Sequence, residues 1–143
     1  MKSTQSEALI EFVDYMFSIH HIAIIASNYE RSKWFYTEVL KFPIIHEAYR
    51  ADRQSYKLDL RVGEQGQIEL FSFPNPPARP TRPEACGLRH LAFGVADLEA
   101  AIANLSRHGI QTEPIRTDEI TGKRFTFFRD PDDLPLELYE QGD

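Results

Sequence analysis

The strongest constraint on this chain is that it says the same thing twice. "SIHHIAIIASNYERS" begins near residue 18 and "GLRHLAFGVADLEAA" near residue 87. Aligning His21 with His90, an offset of 69, also brings Ala23 onto Ala92, Asn28 onto Asp97 and Glu30 onto Glu99. The two halves end alike as well, in "QIELFSF" and "PLELYEQ", which match Glu69 with Glu137 at an offset of 68. Self-similarity at a fixed period means one supersecondary unit used repeatedly.

Each half gives the same order of elements. Residues 19–26 and 88–95 are apolar runs of strand length. Asn28 and Asp97 follow as N-cap types. "YERSKWFYTEVL" and "LEAAIANLSRH" then place apolar residues at helical spacing, closed by Pro43 and by Gly109. Strands are expected at 44–49, 55–62 and 67–73, and again at 110–116, 124–129 and 134–140. The order is β-α-β-β-β, twice: residues 17–73, then 88–141, joined by the proline-rich 74–87, which reads as a stiff linker. Its Arg79 and Arg82 are candidates to lean over a site mouth. Residues 1–16 read as a loose tail or a short helix.

Strand side chains alternate. His21 shares a face with Ala23 and Ile25, and His90 with Ala92 and Gly94. Glu69 shares a face with Phe71 and Phe73, and Glu137 with Tyr139. The opposite faces carry Ile68 and Leu70, or Leu134, Leu136 and Leu138, as strands packed under helices require. Two His and two Glu therefore fall on the non-aliphatic face, beside small residues that leave open volume. An ionised Glu in mid-strand is costly to bury unless it is paired or bound to metal. Imidazole nitrogen with carboxylate oxygen suits Zn, Ni, Co, Mn or Fe(II). By parity His20 points to the helix side, and His46 and His108, without repeat partners, read as surface residues.

Composition narrows the function classes. The formal charge of −6 argues against nucleic acid and anionic membranes, and the arginines form no stripe along one helix. No window reaches spanning length, and the N-terminus lacks a secretory pattern. The lone Cys86 permits no intrachain disulfide. The expectation is a cytoplasmic protein of one compact domain.

The stretches "HHIAIIASNYERSKWFYTEVLKF", "IELFSF", "LRHLAFGVADLEAAI" and "FTFFRDPDDLPLELYE" resemble the vicinal oxygen chelate superfamily. That superfamily includes lactoylglutathione lyase (glyoxalase), bleomycin resistance proteins and extradiol dioxygenases. The resemblance implies an α+β fold in which two tandem βαβββ modules form a curled eight-stranded, cup-like sheet with helices outside. It implies one divalent metal ion per site, held by His21, Glu69, His90 and Glu137, a ligand set similar to that of bacterial glyoxalases. It further implies a redox-neutral isomerase or lyase acting on a small substrate with vicinal oxygens. Proton transfer would pass through a metal-stabilised enediolate, with Glu137 as base and Glu69 second. Ile25, Phe71, Phe73 and Tyr139 would line the substrate pocket.

Ile25 and Phe73 stand where bacterial glyoxalases carry an Arg and an Asn for glutathione, so an apolar wall replaces two anchors. Asp133 replaces the usual glycine of the turn in "DPDD" and is expected to adopt its left-handed conformation. The alternatives are an Fe(II)-dependent dioxygenase, or a ligand-binding or resistance protein with a structural metal. An exposed sheet edge at the open cup favours a homodimer.

Overall fold

The structure is a computed structural model that describes residues 16–142. The expectation for residues 1–16 lies, Met16 apart, outside them. The fold is α+β, two tandem βαβββ modules. The elements of the first are β1 (Ile22–Ala26), α1 (Tyr29–Trp34), β2 (Ile44–Arg50), β3 (Ser55–Val62) and β4 (Gly66–Ser72). Those of the second are β5 (Leu91–Val95), α2 (Leu98–Arg107), β6 (Arg116–Thr117), β7 (Arg124–Arg129) and β8 (Pro135–Glu140). The eight strands divide into two four-stranded sheets, ordered β1-β4-β3-β2 and β5-β8-β7-β6. In both, the first strand of the module pairs parallel with the last, and the remaining pairs are antiparallel.

Both first strands start later than the apolar runs suggest. The paired register opens at Ile22↔Ile68, although β4 already begins at Gly66, level with His20. Leu91↔Leu136 sets His90 level with Pro135, which has no N–H to donate. His21 and His90 therefore sit one residue ahead of their strands, not within them. The expected strand over 110–116 shrinks to Arg116–Thr117, because Pro114 interrupts the edge. Only Glu113 keeps contact there, its N–H donating to Phe127 O at 2.9 Å while its carbonyl accepts from Thr126 Oγ1 at 2.6 Å.

Both helices start as expected. Asn28 Oδ1 accepts from Arg31 N at 3.1 Å and Asp97 Oδ1 from Ala100 N at 3.0 Å. Their ends differ. In α2, Ile110 N donates to Leu105 O at 2.9 Å and Gly109 N to Ser106 O at 3.0 Å, with Gly109 at φ +77°. The first helix does not stay α-helical to residue 40. It widens into a π-turn over Phe35–Val39, where Leu40 N donates to Phe35 O at 3.0 Å. The extra residue rotates Phe35, Tyr36 and Val39 all into the core, where none is more than 1% exposed. Lys41, at φ +61°, makes the exit turn.

The expected aliphatic face is the core. Leu58, Leu60, Ile68, Leu70, Leu134, Leu136 and Leu138 are buried. The modules are bound to each other through it. Phe35 packs on Phe128 and Phe42 on Phe93, and Asn104 Nδ2 donates to Val39 O at 2.8 Å. Tyr36 Oη donates to Asp130 Oδ2 at 2.8 Å. Asp130 also accepts from the N–H groups of Asp132 and Leu134, both at 2.9 Å. Its burial nevertheless pushes its carboxyl above the usual range. Asp133 closes this turn at φ +65°, as expected for the residue in place of glycine. The linker is docked rather than free: Thr81 Oγ1 donates to Asp133 O at 2.9 Å and Arg82 pairs with Asp133 Oδ2 at 2.6 Å.

Candidate metal centre

Register brings each histidine to its carboxylate. Ala23↔Glu69 and Ala92↔Glu137 are in register, so His21 and His90 reach over one alanine from the strand end. His21 Nε2 lies 3.5 Å from Glu69 Oε2, and His90 Nε2 lies 2.9 Å from Glu137 Oε2. Both carboxylates are largely buried, with side chains 13% and 11% exposed, while the imidazoles are more open at 40% and 27%. A nitrogen and an oxygen donor thus face each other twice, at equivalent positions of the two sheets. Among the described residues, no three His, Cys, Asp or Glu side chains gather at one point. The chain holds two donor pairs, one on each sheet.

The surroundings of the pairs differ. Across the ladder Glu69 faces Asp59, and Lys57 reaches both carboxylates, Asp59 at 2.7 Å and Glu69 at 3.8 Å. Glu137 faces Phe127, whose ring meets His90 edge-on at 5.0 Å, and its one ionic contact among the described residues is His90. Lys57 escaped the sequence reading because alternation within one strand does not say which residue faces it across the ladder. His20 does not point to the helix side. With no strand at that residue parity fails, and its exposed ring places Nδ1 2.9 Å from Nδ1 of His21.

The four pocket residues fall into two groups. Ile25 is paired with Phe71 in register, and the Phe71 and Phe73 rings stack at 6.0 Å, an apolar strip beside Glu69. Tyr139 stacks on Phe125 at 6.3 Å on the other sheet. Its hydroxyl donates to Asp118 Oδ2 at 2.9 Å, and that bond together with the Ile120 N–H holds the Asp118 carboxyl below its usual range. Gly94 does not leave open volume, because the side-chain amide of Gln141 lies over it where a Cβ would stand. His46 is exposed as expected. His108 is half-buried at the end of α2, its Nδ1 2.8 Å from Asn104 O and its ring against Trp34. Cys86 is exposed, and no helix among the described residues is long and apolar enough to cross a membrane.

Comparison with known proteins agrees with this architecture. The Bacillus subtilis protein YwkD is 66% identical over 124 residues, 87% of this chain and 97% of its own. The Escherichia coli protein YaeR is 61% identical over 123 residues, 86% of this chain and 95% of its own. The crystal structure of a glyoxalase family protein from Enterococcus faecalis is 52% identical and superposes with a TM-score of 0.81, covering 88% of this chain and 99% of that one. The superfamily generally uses a divalent metal ion. Residues 18–138 match the model of one family, and with it the chain belongs to the glyoxalase/bleomycin resistance protein/dioxygenase superfamily.

Proposed function

We propose that this chain is a divalent-metal-dependent isomerase or lyase of glyoxalase type, working as a cytoplasmic homodimer on a small substrate with vicinal oxygens. His21 and Glu69 of one copy and His90 and Glu137 of a second copy make the ligand set. The observation that carries this reading is the twice-repeated imidazole–carboxylate contact at equivalent positions. Two nitrogens and two carboxylate oxygens fit Zn, Ni, Co, Mn or Fe(II). One pair supplies half of such a set, and the pairs stand on separate sheets of a chain. Exposed apolar side chains, among them Ile25 at 53%, Tyr49 and Leu88 both at 54%, support a second copy covering the sheet faces.

A cation held there supplies Lewis acidity to the substrate's paired oxygens. The chain's own residues do the rest. Glu137 takes the proton from carbon and returns it to the neighbouring carbon. It suits this role better than Glu69, because Lys57 offsets the Glu69 charge, whereas Glu137 has the His90 imidazole as its one ionic partner among the described residues. Phe71, Phe73 and Ile25 exclude water and favour an apolar substituent near Glu69, and Tyr139 presents a ring while its hydroxyl is occupied. The same apolar strip speaks against glutathione as the preferred thiol.

The test is a substrate panel of 2-hydroxycarbonyls and hemithioacetals, run on protein reloaded separately with Ni, Co, Zn, Mn and Fe(II). The expected result is isomerisation without oxygen uptake, and weak, unsaturated rates with the methylglyoxal–glutathione hemithioacetal. Oxygen consumption with Fe(II) would replace this reading by a dioxygenase. Tight binding without turnover under every metal would replace it by a binding protein.

A further inference from the structure

The arginines that look scattered along the sequence are gathered by the fold. A cavity of about 350 Å³ opens beside His90 and Phe127, and its walls include Arg82, Arg89, Arg116 and Arg129. Three carboxylates stand against these four guanidinium groups. Glu84 pairs with Arg89 at 2.6 Å, and Glu113 lies 3.5 Å from Arg116. Asp133 is shared, with one oxygen 2.6 Å from Arg82 and the other 3.6 Å from Arg129 Nε. With Glu137 taken up by His90, the four guanidinium groups outnumber the three carboxylates that stand against them by one.

The surplus has a location. Nη1 of Arg129 is buried and meets no acceptor among the described residues. The Arg129 side chain as a whole is 37% exposed and lines the cavity, so the rest of its N–H fork can meet an acceptor that enters there. Arg116 is held flat over the rings of Phe125 and Phe127, at 5.1 and 5.4 Å, so its N–H fork is set in place rather than free to swing. Arg129 shares its strand face with Phe127, the cross-ladder neighbour of Glu137. Two residues along a strand span about 7 Å, so an acceptor at Arg129 lies one short molecule away from Glu137 and His90.

We propose that this cavity binds the oxyanion of a small substrate, a carboxylate or a phosphate, with Arg129 and Arg116 as its donors. This rests on the function proposed above only for what the other end of the molecule does at His90 and Glu137. It makes the substrate class a vicinal-oxygen compound bearing an anionic group within a few bonds of the reacting carbons. Planar N–H forks match the paired oxygens of either anion.

The test uses the full chain, zinc-loaded and metal-stripped, titrated with inorganic phosphate and separately with acetate. Calorimetry measures affinity, and side-chain NMR follows the Arg129 Nε–H signal. Saturable binding of at least one probe is expected, with the same Arg129 shift in both metal states. Phosphate alone would assign a phosphorylated substrate, and acetate alone a carboxylate. Arg129→Gln should weaken binding at least tenfold, Arg129→Lys less so, and Arg107→Gln, on the exposed end of α2, not at all. If Arg129→Gln does not fold, Arg116→Gln on the exposed rim carries the same expectation. No saturable binding of either probe, or unchanged binding in both Gln variants, overturns the proposal. Because the metal-stripped arm needs no metal, anion binding that survives while metal binding fails would sink the metal reading alone.

Discussion

The two donor pairs are built on the same plan and finished differently. The first pair is open and ionic: His21 and Glu69 are 3.5 Å apart, Lys57 holds Glu69 from the side, and His20 leans on His21. The second is closer and apolar: His90 and Glu137 are 2.9 Å apart, with Phe127 against the imidazole. Repetition supplied the donors, and the proposed function assigns different tasks to them where their surroundings diverge. In the first pair Lys57 offsets part of the Glu69 charge, which tempers that carboxylate's hold on a cation. In the second pair no lysine or arginine among the described residues reaches Glu137, whose partner is the His90 imidazole at 2.9 Å, and it is to this carboxylate that we assign the proton transfer.

The largest effect should separate the two glutamates. Glu137→Gln keeps the shape and one weak oxygen donor but removes the proton acceptor. Turnover should fall by roughly a hundredfold or more, the scale of general-base catalysis, with metal content modestly reduced. Glu69→Gln should lose less turnover. The measurement is kcat and bound metal for both variants on the substrate found by the panel. Reversed effects would exchange the roles, and full turnover in both would make the metal structural.

The next effect concerns Lys57, which has no counterpart at the second pair. Lys57 Nζ lies 3.8 Å from Glu69 Oε1, and a unit charge repels a divalent one at about 4 Å by on the order of 2 kcal/mol in a watery setting. Lys57→Met should therefore raise metal affinity by up to about thirtyfold, read by competition with a chromophoric chelator. Weaker binding in this variant would mean that Lys57 instead positions Glu69. The smallest effect belongs to His20. As an exposed support of His21 it should lie at or below the low end of the roughly 10- to 100-fold range for such partners, so His20→Ala should cost metal affinity about tenfold or less. A loss as large as that of His21→Ala would make His20 a ligand itself.

Much of this was legible in the chain. β3 and β7 occupy the spans that alternation and turn residues mark out, and both helices begin at the Asn and Asp caps. The repeat singled out the two His and two Glu, although both histidines precede their strands and so lie outside the alternation used to place them. What escaped depends on partners across space. β1 and β5 lose their first residues because the parallel ladders open only at Ile22↔Ile68 and Leu91↔Leu136. The π-turn follows from three apolar residues that all seek one core, which helical spacing does not encode. Lys57 at Glu69, Gln141 over Gly94 and Arg129 beside Phe127 are matters of register or of a neighbouring segment. The proposed division of the four donors between two copies is likewise not a pattern that one chain states.

That division is the central claim, and mixing two defective variants tests it most directly. One carries His21→Ala with Glu69→Ala, the other His90→Ala with Glu137→Ala. Each alone should form dimers with no complete site. Unfolded and refolded together, they form mixed dimers in which one site collects both lost pairs and the other collects both intact ones. The account predicts recovery of metal binding and turnover to about a quarter of the wild-type level, for random pairing in a two-fold dimer. A mixture that forms mixed dimers yet stays as inactive and metal-free as its parents would contradict it.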